Sequence, residues 1–156
     1  MEKYKLKQVD IRLKLSQAKP LYSTEQITTA QQAVEVMAEH LYKMDREYCC
    51  VVNLDASHHP INFNVVSIGD TTNTTVPLQN LFKSAILSNA ATILVFHNHP
   101  GGSLTPSSYD LDITRKMILA GLLMNIPVLD HIIVGGNTKD KCYSLKENMP
   151  DLWDIP

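Results

Sequence analysis

Ala91-Thr92-Ile93-Leu94-Val95-Phe96, followed at once by His97-Asn98-His99-Pro100-Gly101-Gly102, is the stretch on which the fold turns. An apolar run this short marks a central strand buried on both faces rather than a helix. The Gly- and Pro-rich segment from His97 to Pro106 reads as the loop that follows it. Downstream, Ser107 to Asn125 reads as a long amphipathic helix. Pro127 to Val134 is a second apolar strand, ended by Gly135-Gly136, and Cys142 to Leu145 is a last short strand.

Upstream, Pro77 sits well as the first residue of a helix carrying Leu78, Leu81, Phe82, Ala85 and Ile86, with Asn89 as a left-handed stop. Tyr48 to Leu54 and Ile61 to Ile68 are β-rich runs around the turn-like Asp55 to Pro60, so they read as a hairpin. Gly69 to Thr75 is a polar loop. From Thr28 to Met44 the apolar residues Ala30, Ala33, Val34, Met37, Leu41 and Met44 recur at three and four, a helix stripe. Val9, Ile11, Leu13 and Leu15 alternate with polar residues, which predicts a half-buried strand.

Helices and strands thus alternate around an antiparallel hairpin. The order predicts an α/β fold, a three-layer α/β/α sandwich with a mixed sheet. Residues 1–27 read as a strand and connector, 28–148 as the domain, and 149–156 as a loosely held tail with Trp153 as its anchor.

Composition agrees with one folded domain. The chain has 156 residues, of which 44% are apolar and 19% charged, enough for a core without staples. The net charge of −2 lacks the cationic excess of a protein that lives on phosphates, which argues against nucleic acid as a direct tight ligand. Lys3, Lys5, Lys7, Arg12, Lys14 and Lys19 near the amino terminus read as a solvated strand face. Cys49, Cys50 and Cys142 make no disulfide framework and no CxxC pair, so buried reduced thiols are expected. There is no secretory h-region and no apolar run near ~18 residues, so a cytoplasmic protein away from membranes is expected. A homo-oligomer is left open.

The chemistry lies in His97-Asn98-His99-Pro100-Gly101-Gly102-Ser103-Leu104-Thr105-Pro106-Ser107-Ser108-Tyr109-Asp110. Two histidines two apart on extended backbone point the same way, as a chelating pair must. The Gly-Gly loop can fold back and bring Asp110, in the first turn of the next helix, to the same point. Two imidazoles and one carboxylate suit one zinc ion with an open fourth position, where water is acidified. Each part has a plainer reading. A lone HxH is weak, and Ser107-x-x-Asp110 is also an ordinary helix start. The joint pattern favours the metal. Glu47 precedes the hairpin, where it can look across the sheet end. By spacing alone it reads better as one more exposed acid beside Asp45 and Arg46. His58 and His59 read as solvated turn residues, His131 as a hydrogen-bonded core histidine, and Asn98 has no assigned role.

Glu47, the HxH pair, Ser107 and Asp110, with ten residues between His99 and Asp110, resemble the JAMM (MPN+) metalloprotease motif. More narrowly, Arg46-Glu47-Tyr48, Ala85 to Ala91, the HNHPGG loop with Pro106-Ser107, and Val128 to Gly135 resemble the RadC-like JAB-domain family. The resemblance implies a cytidine-deaminase-like fold and a zinc metallopeptidase or isopeptidase-like hydrolase acting on a peptide or protein. It implies one zinc on His97, His99 and Asp110, water activated by Glu47 attacking an amide carbonyl, and Ser107 assisting. Longer RadC proteins carry a helix-hairpin-helix region, whereas this chain starts on a strand-like pattern. The family name also brings a second reading, a DNA-repair or DNA-transaction accessory acting through binding rather than catalysis. A zinc nucleoside deaminase would need HxE or CxE with PCxxC, and neither occurs.

Overall fold

The computed structural model describes residues 8–11, 13–15, 26–69, 76–135, 138 and 141–155. Among them, five strands form one mixed sheet: β1 (Tyr48–Leu54), β2 (Pro60–Ile68), β3 (Thr92–His99), β4 (Val128–Gly135) and β5 (Cys142–Ser144). The order is β2-β1-β3-β4-β5. β1 runs antiparallel to both β2 and β3, β3 and β4 are parallel, and β5 returns antiparallel. The apolar run is therefore the middle strand, and it continues three residues past Phe96 to carry both histidines within the strand.

Among the described residues, four α-helices accompany the sheet: α1 (Ala30–Leu41), α2 (Leu78–Leu87), α3 (Ser108–Leu123) and the single turn α4 (Leu145–Asn148). Alternation along the strands sorts the core in two. Cys50, Val52, Leu94, Phe96, Ile132 and Val134 pack with Ala33, Val34, Met37 and Leu41 of α1. Cys49, Val51, Ile93, Val95 and Ile133 pack with α2 and α3 on the opposite face. Each residue on β3 thus has its face set by parity, so His97 and His99 continue the row Ile93, Val95 on the α3 side.

α1 is shorter than the apolar stripe suggests. Thr29 caps it by accepting from Gln32 N, while Gln32 answers through its side chain, a reciprocal pair that fixes the start. Pro77 is the residue before α2 rather than its first, and Asn89 follows that helix at φ 49°. The β3–α3–β4 crossover begins in the loop after His99, where Gly102 adopts φ 82°, a value that favours glycine. Gly135 faces this loop, and a Cβ there would lie 3.0 Å from Leu104 Cδ2, so the loop folds directly over the end of β4.

Two further expectations change. Val9, Ile11, Leu13 and Leu15 lie in no strand and are 77%, 70%, 41% and 70% exposed. Alternation buries a face only when a segment pairs with a sheet edge, and this one pairs with neither β2 nor β5. The connector at 19–25, the loop at 70–75 and most of the amino-terminal lysines lie outside the described residues. The tail is held more firmly than expected. Pro150–Trp153 forms a 3-10 turn, Leu152 is buried, and Trp153 Nε1 donates to Val128 O at 2.9 Å.

Candidate metal centre

His97 and His99 reach the same spot because β3 stays extended through them. Their Nε2 atoms are 2.9 Å apart. Asp110 arrives from the first turn of α3, with Oδ1 3.3 Å from His97 Nε2 and Oδ2 3.6 Å from His99 Nε2. One potential ligand atom from each of the three residues lies within 4.8 Å of the others. Ligand atoms of a tetrahedral zinc would be roughly 3.3 Å apart, from metal–ligand bonds of about 2.0–2.1 Å. The donor set fits a divalent cation: three atoms, each able to offer a lone pair to a metal, are drawn together at the end of a strand.

The Asp110 carboxylate is aimed by the helix start. Ser107 N and Ser107 Oγ both donate to Asp110 Oδ2 at 2.7 Å, and Asp110 N donates back to Ser107 Oγ at 3.1 Å. The two readings of Ser107-x-x-Asp110 therefore coexist. One capping box closes the helix and presents the carboxylate to the histidines. As the hydroxyl stands, its proton is spent on Asp110.

Each imidazole is tied at its far nitrogen. His99 Nδ1 lies 2.8 Å from the carbonyl of Ser103 in the same loop. His97 Nδ1 lies 2.8 Å from His131 Nε2 on β4. His131 is a hydrogen-bonded core histidine as expected, 1% exposed, and its partners place it directly behind the metal centre. Its signal in the sequence was its place in an apolar strand; only the parallel register, His97 opposite Ile133 and Val95 opposite His131, brings it beside β3.

Glu47 stands just before β1. It lines, with Cys49, His97, Asp110 and His131, a cavity of about 20 Å³, room for about one water or ion. Asn98 explains its placement. On the opposite face of β3 from the histidines and fully buried, Asn98 accepts from Tyr48 N at 2.8 Å and donates to Arg46 O at 3.0 Å, bracketing Glu47. His58 and His59 lie apart from the centre, His59 exposed beside Asp55. A larger cavity of about 450 Å³ opens on the α1 face, lined by Ile27, Leu94, Leu129 and Asp130 among others. Asp130 there is satisfied by Ser144 Oγ, His131 N and Lys146 N, and the cavity holds none of the three clustered ligands.

The electrostatics follow from burial and proximity. Burial, then the neighbouring His131, holds His97 well below the ordinary imidazole value, so it stays neutral and able to ligate. Burial alone would push Asp110 up. The hydrogen bond with His99, the proximity of His97 and the two donors of Ser107 outweigh it and hold the carboxyl below its usual range. The hydrogen bond to Asp110 raises His99 against the effect of burial, with Ser103 O and the Glu47 charge adding to it.

A sheet that delivers two imidazoles, with a helix that delivers a carboxylate to them, defines an α/β domain with a candidate metal site. The RadC-like JAB domain model matches residues 27–150, and the chain belongs to that family. It is 37% identical over 121 residues to a UPF0758 protein of Desulfitobacterium hafniense, a match covering 78% of this chain and 52% of that protein. A UPF0758 protein of Thermosynechococcus vestitus is 39% identical over 121 residues, 78% of this chain and 47% of that one. One of Roseiflexus castenholzii is 36% identical over 124 residues, 80% and 52%. The chain thus spans about half the length of the curated relatives it matches. Among the described residues no helix is long and apolar enough to cross a membrane.

Proposed function

We propose that this domain is a zinc-dependent hydrolase that cuts an amide bond, as a metallopeptidase or an isopeptidase, in a peptide or protein. One observation carries the reading: two imidazole nitrogens and a carboxylate converge at the end of the central strand, beside a cavity that Glu47 also lines. The placement of α1 on one sheet face and α2 and α3 on the other supports the wider reading, a three-layer, cytidine-deaminase-like sandwich.

His97, His99 and Asp110 would hold the zinc. When bound, the metal supplies Lewis acidity, polarising a carbonyl and acidifying water. Glu47 takes the proton from the attacking water and later hands it to the leaving amine. Ser107 orients Asp110 in the resting state, and its hydroxyl can turn to donate to the oxyanion of the tetrahedral intermediate. The burial of His97 and Asp110 keeps bulk water from competing at the ligands.

The test is elemental analysis of the purified protein and of Asp110→Asn, alongside a screen of peptide and isopeptide substrates. About one zinc per chain, weakened in the variant, and hydrolysis that a chelator abolishes and zinc restores are expected. No zinc after repletion would sink the reading. Zinc without hydrolysis of any substrate would remove the peptidase half.

A further inference from the structure

Behind the candidate metal centre, two buried groups that the proposed chemistry has not used, Thr114 and His131, form a chain with His97. Thr114 and His131 are 0% and 1% exposed, and His97 is 6% exposed. Thr114 Oγ1 is 2.5 Å from the carbonyl of Asp110 and 2.6 Å from His131 Nδ1, and His131 Nε2 is 2.8 Å from His97 Nδ1.

The protons in this chain have one consistent arrangement. Thr114 has a single hydroxyl proton and two neighbours in reach. The Asp110 carbonyl can only accept, and two oxygens that close repel unless a proton lies between them, so the hydroxyl donates to it. Thr114 Oγ1 must then accept from His131 Nδ1–H. A neutral imidazole carries one N–H, so His131 Nε2 is bare and accepts from His97 Nδ1–H. That leaves His97 Nε2 without a proton, with its lone pair facing Asp110 and His99. His99 Nδ1 likewise donates, because Ser103 O can only accept.

We propose that His131 and Thr114 are positioning residues that fix the tautomer of His97, through a one-way run of donors ending on the first-turn carbonyl of α3. The inference rests on the reading of His97, His99 and Asp110 as metal ligands. It names what sets one ligand's orientation and basicity, a task that partners behind a metal-bound imidazole commonly perform. The carbonyl at the end of the run belongs to Asp110 itself, so one residue supplies the carboxylate for the metal and the anchor for the opposite ligand's proton.

The test uses the whole chain. Long-range proton–nitrogen NMR of the imidazoles, on metal-free protein at alkaline pH, should find His97 and His131 both neutral and both protonated on Nδ1. A proton on His97 Nε2, or a cationic His131, would overturn the inference. Zinc affinity, measured by competition with a chelator, gives the second arm. Thr114→Val keeps the shape but removes the acceptor for His131 Nδ1–H, and should weaken zinc by about 10–100-fold. Thr114→Ser should restore the wild-type affinity. Wild-type affinity in Thr114→Val, with His97 unchanged in the spectrum, would sink the inference while leaving the metal site standing. Failure of the wild-type protein to bind zinc would sink the metal-site reading and the inference with it.

Discussion

The side chain of Asn98 grips the backbone on both sides of Glu47, accepting from Tyr48 N and donating to Arg46 O. It does so from the face of β3 opposite the histidines. Asn98→Ala should therefore separate support of Glu47 from metal binding. Losing both bonds removes two part-buried hydrogen bonds, so the variant should unfold at lower denaturant, by about 1–3 kcal/mol in all. Zinc per chain should stay unchanged. Loss of zinc in a folded Asn98→Ala would show that the two faces of the strand are not independent.

Glu47 and Asp110 are both acids at the centre, and their variants should part company. Glu47→Gln keeps the side chain's shape and all three candidate ligands. It should retain zinc and lose hydrolysis by roughly 10²–10⁴-fold, the usual worth of a general base. Asp110→Asn should lose zinc affinity as well. Zinc lost from Glu47→Gln would make Glu47 a ligand; full activity would take it out of the mechanism.

Acid should weaken the metal-free protein early. Burial pushes His131 down from 6.5 to about 4. The unfolded chain therefore binds a proton that the native state refuses between those values, so stability is complete above 6.5 and falls as the pH drops toward 4. The loss from this one group is about 3 kcal/mol at most. His97, also lowered by burial, acts in the same direction. Asp130 is raised by burial and offsets part of the fall near its own range. Denaturant unfolding of metal-free protein across this window should show the slope, and His131→Gln should flatten it. A flat wild-type profile would contradict the burial of an uncharged His131.

The cysteines should divide by burial. Burial pushes the Cys50 thiol up to about 12 and Cys49 well above its ordinary value. The thiolate is the reactive form, so neither should react with a thiol reagent in the native state. Cys142 is only partly buried and should be labelled first. Mass mapping of labelled sites decides this. Modification of Cys49 or Cys50 without unfolding would mean the sheet opens at β1.

Much of this arrangement was legible in the sequence because it follows from local period. The stripe on α1, the apolar runs of β3 and β4, and the strand spacing of His97 and His99 each depend on residues within a few positions. What was not legible depends on partners far along the chain. Alternation at Val9 to Leu15 looks like a strand, but no edge pairs with it. Asn98 reads as a loop polar residue until β1 lies alongside, about fifty positions away. His131 reads as a core residue until the parallel register sets it behind His97.

The capping box has a consequence for how such domains drift. Ser107 and Asp110 hold the start of α3 whether or not a metal is present, so selection for a stable helix alone preserves both. His97 and His99 bond to His131 and to the Ser103 carbonyl, but neither starts nor ends a helix. A descendant that abandons catalysis should therefore shed its histidines first and keep Ser-x-x-Asp long afterwards. In such a lineage the retained serine and aspartate would be a fossil of the helix, and the histidine pair the true marker of an active centre.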